Sequence, residues 1–135
     1  MLFERISIER PGAYARGWIA DREGVFHDSR RGYGGQARTV DLLLSEGLPA
    51  LAGVERIGWV TSLKASRRGA GSLALQSLIE RFAAERVDAI GLIALPDDDA
   101  FLARLINYYR RHGFEIIADY DAYPVMLLRP RPSTT

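Results

Sequence analysis

The stretch SRRGAGSLALQSL, residues 66–78, runs two arginines into two glycines and then turns apolar at helical spacing. A strand ending near Ala65, a Gly-x-Gly turn at Gly69 and Gly71, and a helix together make a ready anion site. Glycines let the main chain come close to a ligand. The first amides of a helix have no partner inside it, and the helix dipole adds partial positive charge at the same end. Arg67 and Arg68 bring two full charges to that place. A pyrophosphate is the natural occupant, so the reading is a nucleotide or a coenzyme with a nucleotide handle.

Two glycine-loop chemistries fit poorly. A phosphate loop of the Walker type needs Gly-Lys-Ser/Thr, and here Gly71 is followed by Ser72 and Leu73, with no lysine to reach the phosphates. Gly69-x-Gly71-x-x-Ala74 does match the dinucleotide fingerprint. That motif wants an acidic residue about 20 positions on, at the end of the next strand. Asp88 has the spacing but precedes its strand, and Asp97 ends the strand but lies farther along. A nicotinamide-dependent reductase is therefore the lesser alternative.

The elements that must position this turn read as follows. Residues 2–8 alternate as a first strand, stopped by Pro11-Gly12. Residues 13–19 and 25–28 flank Asp21-Arg22-Glu23-Gly24 and predict a hairpin. Residues 29–38, SRRGYGGQAR, read as a mobile basic loop too polar and glycine-rich for a packed element. Residues 40–44 fit either a strand or a short helix. Residues 57–65 predict a strand with Ile57, Trp59, Thr61, Leu63 and Ala65 on one side, and Gly58 hints at a bulge or a close backbone approach. Residues 72–86 form the clearest helix, with Leu75, Leu78, Ile79 and Phe82 on its apolar face. Residues 89–95 are a buried strand stopped by Pro96. The acidic run at Asp97, Asp98 and Asp99 is an N-cap for a helix over residues 100–111, which Gly113 closes. Residues 114–120 and 125–129 predict a final hairpin. One domain over residues 1–129 and a disordered tail over 130–135 are expected.

Composition narrows the function. The 135 residues carry a formal net charge of +1, which gives no general case for nucleic acid or a membrane surface. The absence of cysteine removes disulfide and thiolate chemistry, and two histidines make a histidine-rich metal site a poor reading, so no metal is expected. No long apolar run suggests a leader or a membrane span, and a cytoplasmic protein is the default.

A second motif selects among the coenzymes. NYYRRHGFEI, residues 107–116, has Tyr109 four residues before Gly113-Phe114. Alone, a tyrosine on the apolar face with Leu102 and Leu105 reads as core packing. Taken with the glycine turn and the element order, the stretch from Ile57 to about Arg129 resembles the GNAT superfamily of N-acetyltransferases, which use acetyl-coenzyme A (acetyl-CoA). The turn is Ser66-Arg67-Arg68-Gly69-Ala70-Gly71, with serine where the family has arginine or glutamine, and the usual pair of helices after the first strand is not visible in the N-terminal half.

The resemblance implies an α/β (α+β) fold, a mixed, mainly antiparallel twisted sheet of six to seven strands flanked by helices. It implies transfer of an acetyl group to an amine-bearing acceptor, small molecule or protein, by direct attack. The amides of Leu63 and Ala65 would hold the pantetheine arm and polarise the thioester. Arg67 and the amides of Arg68, Gly69, Ala70, Gly71 and Ser72 would hold the pyrophosphate, and Tyr109 would be the general acid for the leaving thiolate. Glu46 and Glu55 are both open as the base that takes the amine proton. Self-association, as in a homodimer, is common in the family. The alternative is a non-catalytic module of the same fold that contacts nucleic acid or protein through Arg30, Arg31 and Arg38 of the 29–38 loop.

Overall fold

The computed structural model describes residues 1–31 and 35–130. Pro11-Gly12 turns strand β1 (Phe3–Arg10) back on β2 (Ala13–Asp21), and the two pair antiparallel from Phe3↔Ala20 to Arg10↔Ala13. The hairpin expected around residues 21–24 is instead a helix start. Asp21 is extended, and its carboxylate accepts from the amides of Gly24 (2.7 Å) and Leu2 (2.9 Å), which caps α1 (Arg22–Arg30). Aspartate serves turns and N-caps equally well, and only the tertiary contact with Leu2 separates them.

Both ends of the 29–38 stretch belong to helices. Ser29 and Arg30 end α1, and the Ser29 hydroxyl donates to the Phe26 carbonyl and reaches Asp41. Ala37 and Arg38 open α2 (Ala37–Ser45), which resolves residues 40–44 as helix. The middle of the predicted mobile loop lies outside the described residues, as does the predicted tail beyond residue 130. The helix pair absent from the sequence reading is thus present, after the second strand.

The C-terminal half follows its pattern closely. Strand β3 (Arg56–Ala65), helix α3 (Ala70–Ala84), strand β4 (Ala89–Ile93), helix α4 (Leu102–Arg111), and strands β5 (Glu115–Tyr120) and β6 (Tyr123–Leu128) succeed one another. Asp98 caps a short 3-10 turn ahead of α4 by accepting from the Ala100 amide at 2.9 Å. Asp88 accepts from the amides of Glu55 and Arg56, both at 2.9 Å, and these bonds hold its carboxyl below the usual range.

The six strands form one sheet in the order β1-β2-β3-β4-β6-β5, and only β3 and β4 run parallel. A dinucleotide fingerprint would need further parallel crossovers, which this sheet lacks. Helices cover both faces. On one, α3 and α4 pack Leu75, Leu78, Phe82 and Tyr109 on Ile19, Val60, Ile90 and Met126. On the other, α1 and α2 pack Val25, Val40 and Leu43 with Trp18, Trp59, Ile93 and Val125.

The register corrects one expectation about β3. Arg16 pairs with Ser62 but Gly17 pairs with Val60, so Thr61 is an extra residue, a bulge. Alternation reverses there. Trp59 joins the α1/α2 core, whereas Leu63 packs against the α3/α4 core. Gly58 is the close approach that its place in the strand suggested: a Cβ there would lie 2.8 Å from the Phe82 ring. Phe82 is fully buried, so Gly58→Ala must displace it and is expected to cost about 1–3 kcal/mol, read from the denaturant midpoint.

Candidate active site

The site begins where two strands separate. The parallel ladder runs from Ile57↔Ala89 to Val60↔Leu92 and stops. Beyond it β4 leans to β6, and the Ala94 amide donates to the Pro124 carbonyl at 2.9 Å. β3 stays with β2 as far as Ala65. Residue parity then decides which amides face the gap. The Ser66 amide donates to Gly12 at 2.7 Å, on the β2 side. Successive amides along a strand alternate sides, so those of Leu63 and Ala65 point away from β2, into the split.

A cleft of about 510 Å3 opens from the split, between the start of α3 and the flank of α4. Leu63, Ala65, Arg67, Gly69, Gly71, Ser72 and Tyr109 all line it. Arg68 and Ala70 do not; they line a neighbouring groove with Arg10 and Leu73. The Ala70 amide is also taken by the Arg67 carbonyl at 3.2 Å, so it is not among the free donors.

The glycine turn has separable parts. Gly69 holds φ +80°, which a side chain would strain. Leu73 bonds back to Gly69 at 3.4 Å, and the amides of Gly71 and Ser72 have no main-chain partner among the described residues. Gly71 lets the helix start close on the strand end: a Cβ there would sit 3.2 Å from that of Ala65. Bare amides beside a cationic wall suit a phosphate. Lys64, Arg67, Arg104 and Arg111 line the cleft against Asp97 and Asp98, a surplus of positive charge. Lys64 and Asp97 approach to 3.5 Å across its mouth.

Tyr109 lines the cleft from α4. It is 8% exposed, edge-on to Phe114 with ring centroids 5.9 Å apart, and belongs to the α3/α4 core. The Gly-Phe that follows explains its fixed position. Gly113 at φ +97° reverses the chain, and the Phe114 amide returns to the Tyr109 carbonyl at 3.1 Å. The Tyr109 hydroxyl has no hydrogen-bond partner among the described residues. Its residue also lines a second pocket of about 280 Å3, with Thr61 and Ser62, at the split. Burial, with a smaller contribution from Tyr108, pushes the phenol up to about 12.

Several cleft residues escaped the sequence reading. Tyr108 is the clearest: its hydroxyl lies 3.0 Å from that of Ser72 and ties α4 to the start of α3. Its spacing of three from Leu105 was the available signal. Phe101, with the Arg104 guanidinium 5.3 Å from its ring centroid, is another. Neither open candidate for a base reaches the cleft. Glu55 precedes β3, at the end of the strand away from the split, and Glu46 caps the C-terminus of α2.

The Tyr109 phenol binds its proton more tightly folded than unfolded, where its pKa is about 10. The stability this gives is complete below pH 10 and is lost as the pH rises through about 12. Chemical denaturation against pH is expected to show this alkaline decline, and Tyr109→Phe to flatten it.

No family profile matches the sequence, and no curated protein is similar to it in sequence. Solved structures are similar. The anti-CRISPR protein AcrVA5 has a TM-score of 0.56 at 20% identity, over 92% of this chain and 97% of that one. Mosquito arylalkylamine N-acetyltransferase like 5b has 0.58 at 14%, over 88% and 68%. The polyamine N-acetyltransferase of Drosophila melanogaster has 0.55 at 16%, over 88% and 69%. The six-stranded, mostly antiparallel sheet with its four helices is therefore the fold of the GNAT N-acetyltransferases.

Proposed function

We propose that this protein is an acyl-CoA N-acyltransferase that moves an acetyl group from acetyl-CoA to an amine. One observation carries the reading: a single cleft joins the free strand edge at Leu63 and Ala65, the free amides of Gly71 and Ser72, and the buried phenol of Tyr109. The first would hold an extended amide-bearing arm as a strand is held. The second would take the diphosphate, helped by Arg67. The acceptor class rests on the similar structures named for agmatine, polyamines and arylalkylamines.

The residues then divide the reaction. The strand-edge amides donate to the thioester carbonyl, where negative charge develops as the amine nitrogen bonds to its carbon. Tyr109 donates its proton toward the sulfur as the carbon–sulfur bond breaks, so that the thiol leaves neutral. The proton lost by the attacking nitrogen restores the balance through solvent. Because burial pushes its phenol up to about 12, Tyr109 stays protonated throughout the neutral range and can serve as the donor.

Calorimetric titration with acetyl-CoA is expected to give binding in the micromolar to millimolar range, and no heat at about 1 mM ligand would remove this reading. Tyr109→Phe is expected to lower kcat about 10²–10⁴-fold while leaving coenzyme affinity nearly unchanged. For the wild type, the rate is expected to show no loss attributable to this phenol below about pH 10, since the donor is lost only near its raised pKa of about 12.

A further inference from the structure

A second groove of about 510 Å3 lies against the outer side of the glycine turn. It shares Arg67 and Gly69 with the cleft, so the two adjoin at the turn. Arg10, Arg67 and Arg68 line it, and no carboxylate does. None of the three guanidiniums has a carboxylate oxygen within 4.0 Å among the described residues. Arg10 is nevertheless held in place: it donates to the Ser77 hydroxyl on α3 at 2.6 Å. Arg67 is confined too, because its side chain fills the space over Gly12 where a Cβ would otherwise go. Leu73, 61% exposed, adds an apolar wall to this cationic groove.

We propose that this groove takes the ribose 3′-phosphate of coenzyme A and makes the protein select coenzyme A over its 3′-dephospho form. The proposal rests on the coenzyme reading above. With the diphosphate at Gly71 and Ser72, the 3′-phosphate lies one ribose farther on. Two exits are open to it. The exit along α4 carries Asp97 and Asp98, and the arginines there already lie near aromatic rings, Arg104 by Phe101 and Arg111 by Tyr108. The exit past Gly69 carries three arginines and no acid. A phosphomonoester with a charge of about −1.5 to −2 is drawn to the second. Leu73 offers the apolar surface that the nucleoside needs. Arg68, which the glycine motif alone would set against the diphosphate, thereby serves the 3′-phosphate.

The test is calorimetry with coenzyme A and with 3′-dephospho-coenzyme A on the intact protein. The wild type is expected to bind coenzyme A at least about tenfold more tightly, with a ratio that narrows as salt is raised. Arg10→Gln with Arg68→Gln is expected to bring coenzyme A down to the affinity of the dephospho form, and to leave the dephospho form within about twofold. Arg68→Gln alone, which keeps the Arg10–Ser77 bond, is expected to lose part of the ratio; melting curves check that both variants fold. Arg104→Gln on the opposite wall is expected to leave the ratio unchanged. Equal wild-type affinities, a ratio that survives the double substitution, or a ratio abolished by Arg104→Gln would each overturn the proposal while the coenzyme reading stands. Binding of neither compound would overturn both.

Discussion

The parting of β3 from β4 after Val60 and Leu92 is the constraint on which the site depends. Parallel neighbours that stayed paired would consume the amides of Leu63 and Ala65 and leave no gap. Two features keep them apart. β4 transfers its hydrogen bonds to β6 through Ala94, and β3 is held to β2 beyond the bulge at Thr61. The bulge also reverses which way the strand faces, so that Leu63 turns to the helices of the cleft although Trp59, four residues earlier, packs in the opposite core. A sheet edge is normally a liability. Here it is internal and short, and it borders the cleft.

Close approach governs the surroundings of that gap. Phe82 sits against Gly58, Trp59 against Gly91, and the start of α3 against Ala65 through Gly71. Gly58 and Gly71 bring helix and strand near enough for the glycine turn to meet the strand end, whereas Trp59 and Gly91 are paired positions on adjacent strands. The Tyr108–Ser72 contact then fixes α4 to the same corner. Tyr109 is carried along by the turn at Gly113, its ring packed on Phe114 and its phenol at the junction of the cleft and the smaller pocket. Core packing and the proposed role as proton donor are compatible accounts of this residue, because the packing fixes where its ring lies.

Patterns that one element imposes by itself were legible. The apolar repeat of α3, the continuous run of β4, the acidic cap before α4 and the glycine stop after it all appear near their expected positions. The N-terminal half was less legible because its signals are ambiguous one at a time. Asp21 caps a helix where a turn was expected, since the deciding contact comes from Leu2. Ser29, Arg30, Ala37 and Arg38 look like loop residues, yet they end and begin helices whose apolar faces are completed by Trp18 and Trp59 on the sheet.

The sequence by itself determined the residue types and their local spacing: two glycines ahead of an amphipathic helix, a tyrosine one turn before Gly-Phe, and cations beside the turn. Those are properties of neighbours along the chain, and helix and turn physics acts at that range. Only the tertiary structure decided which amides remain unpaired, that Arg68 and Ala70 face a different groove from Gly71, and that Tyr108 belongs to the cleft. Those outcomes depend on strand order, on a one-residue bulge and on the packing of α4 against α3, which join positions dozens of residues apart and leave no periodic trace in the chain.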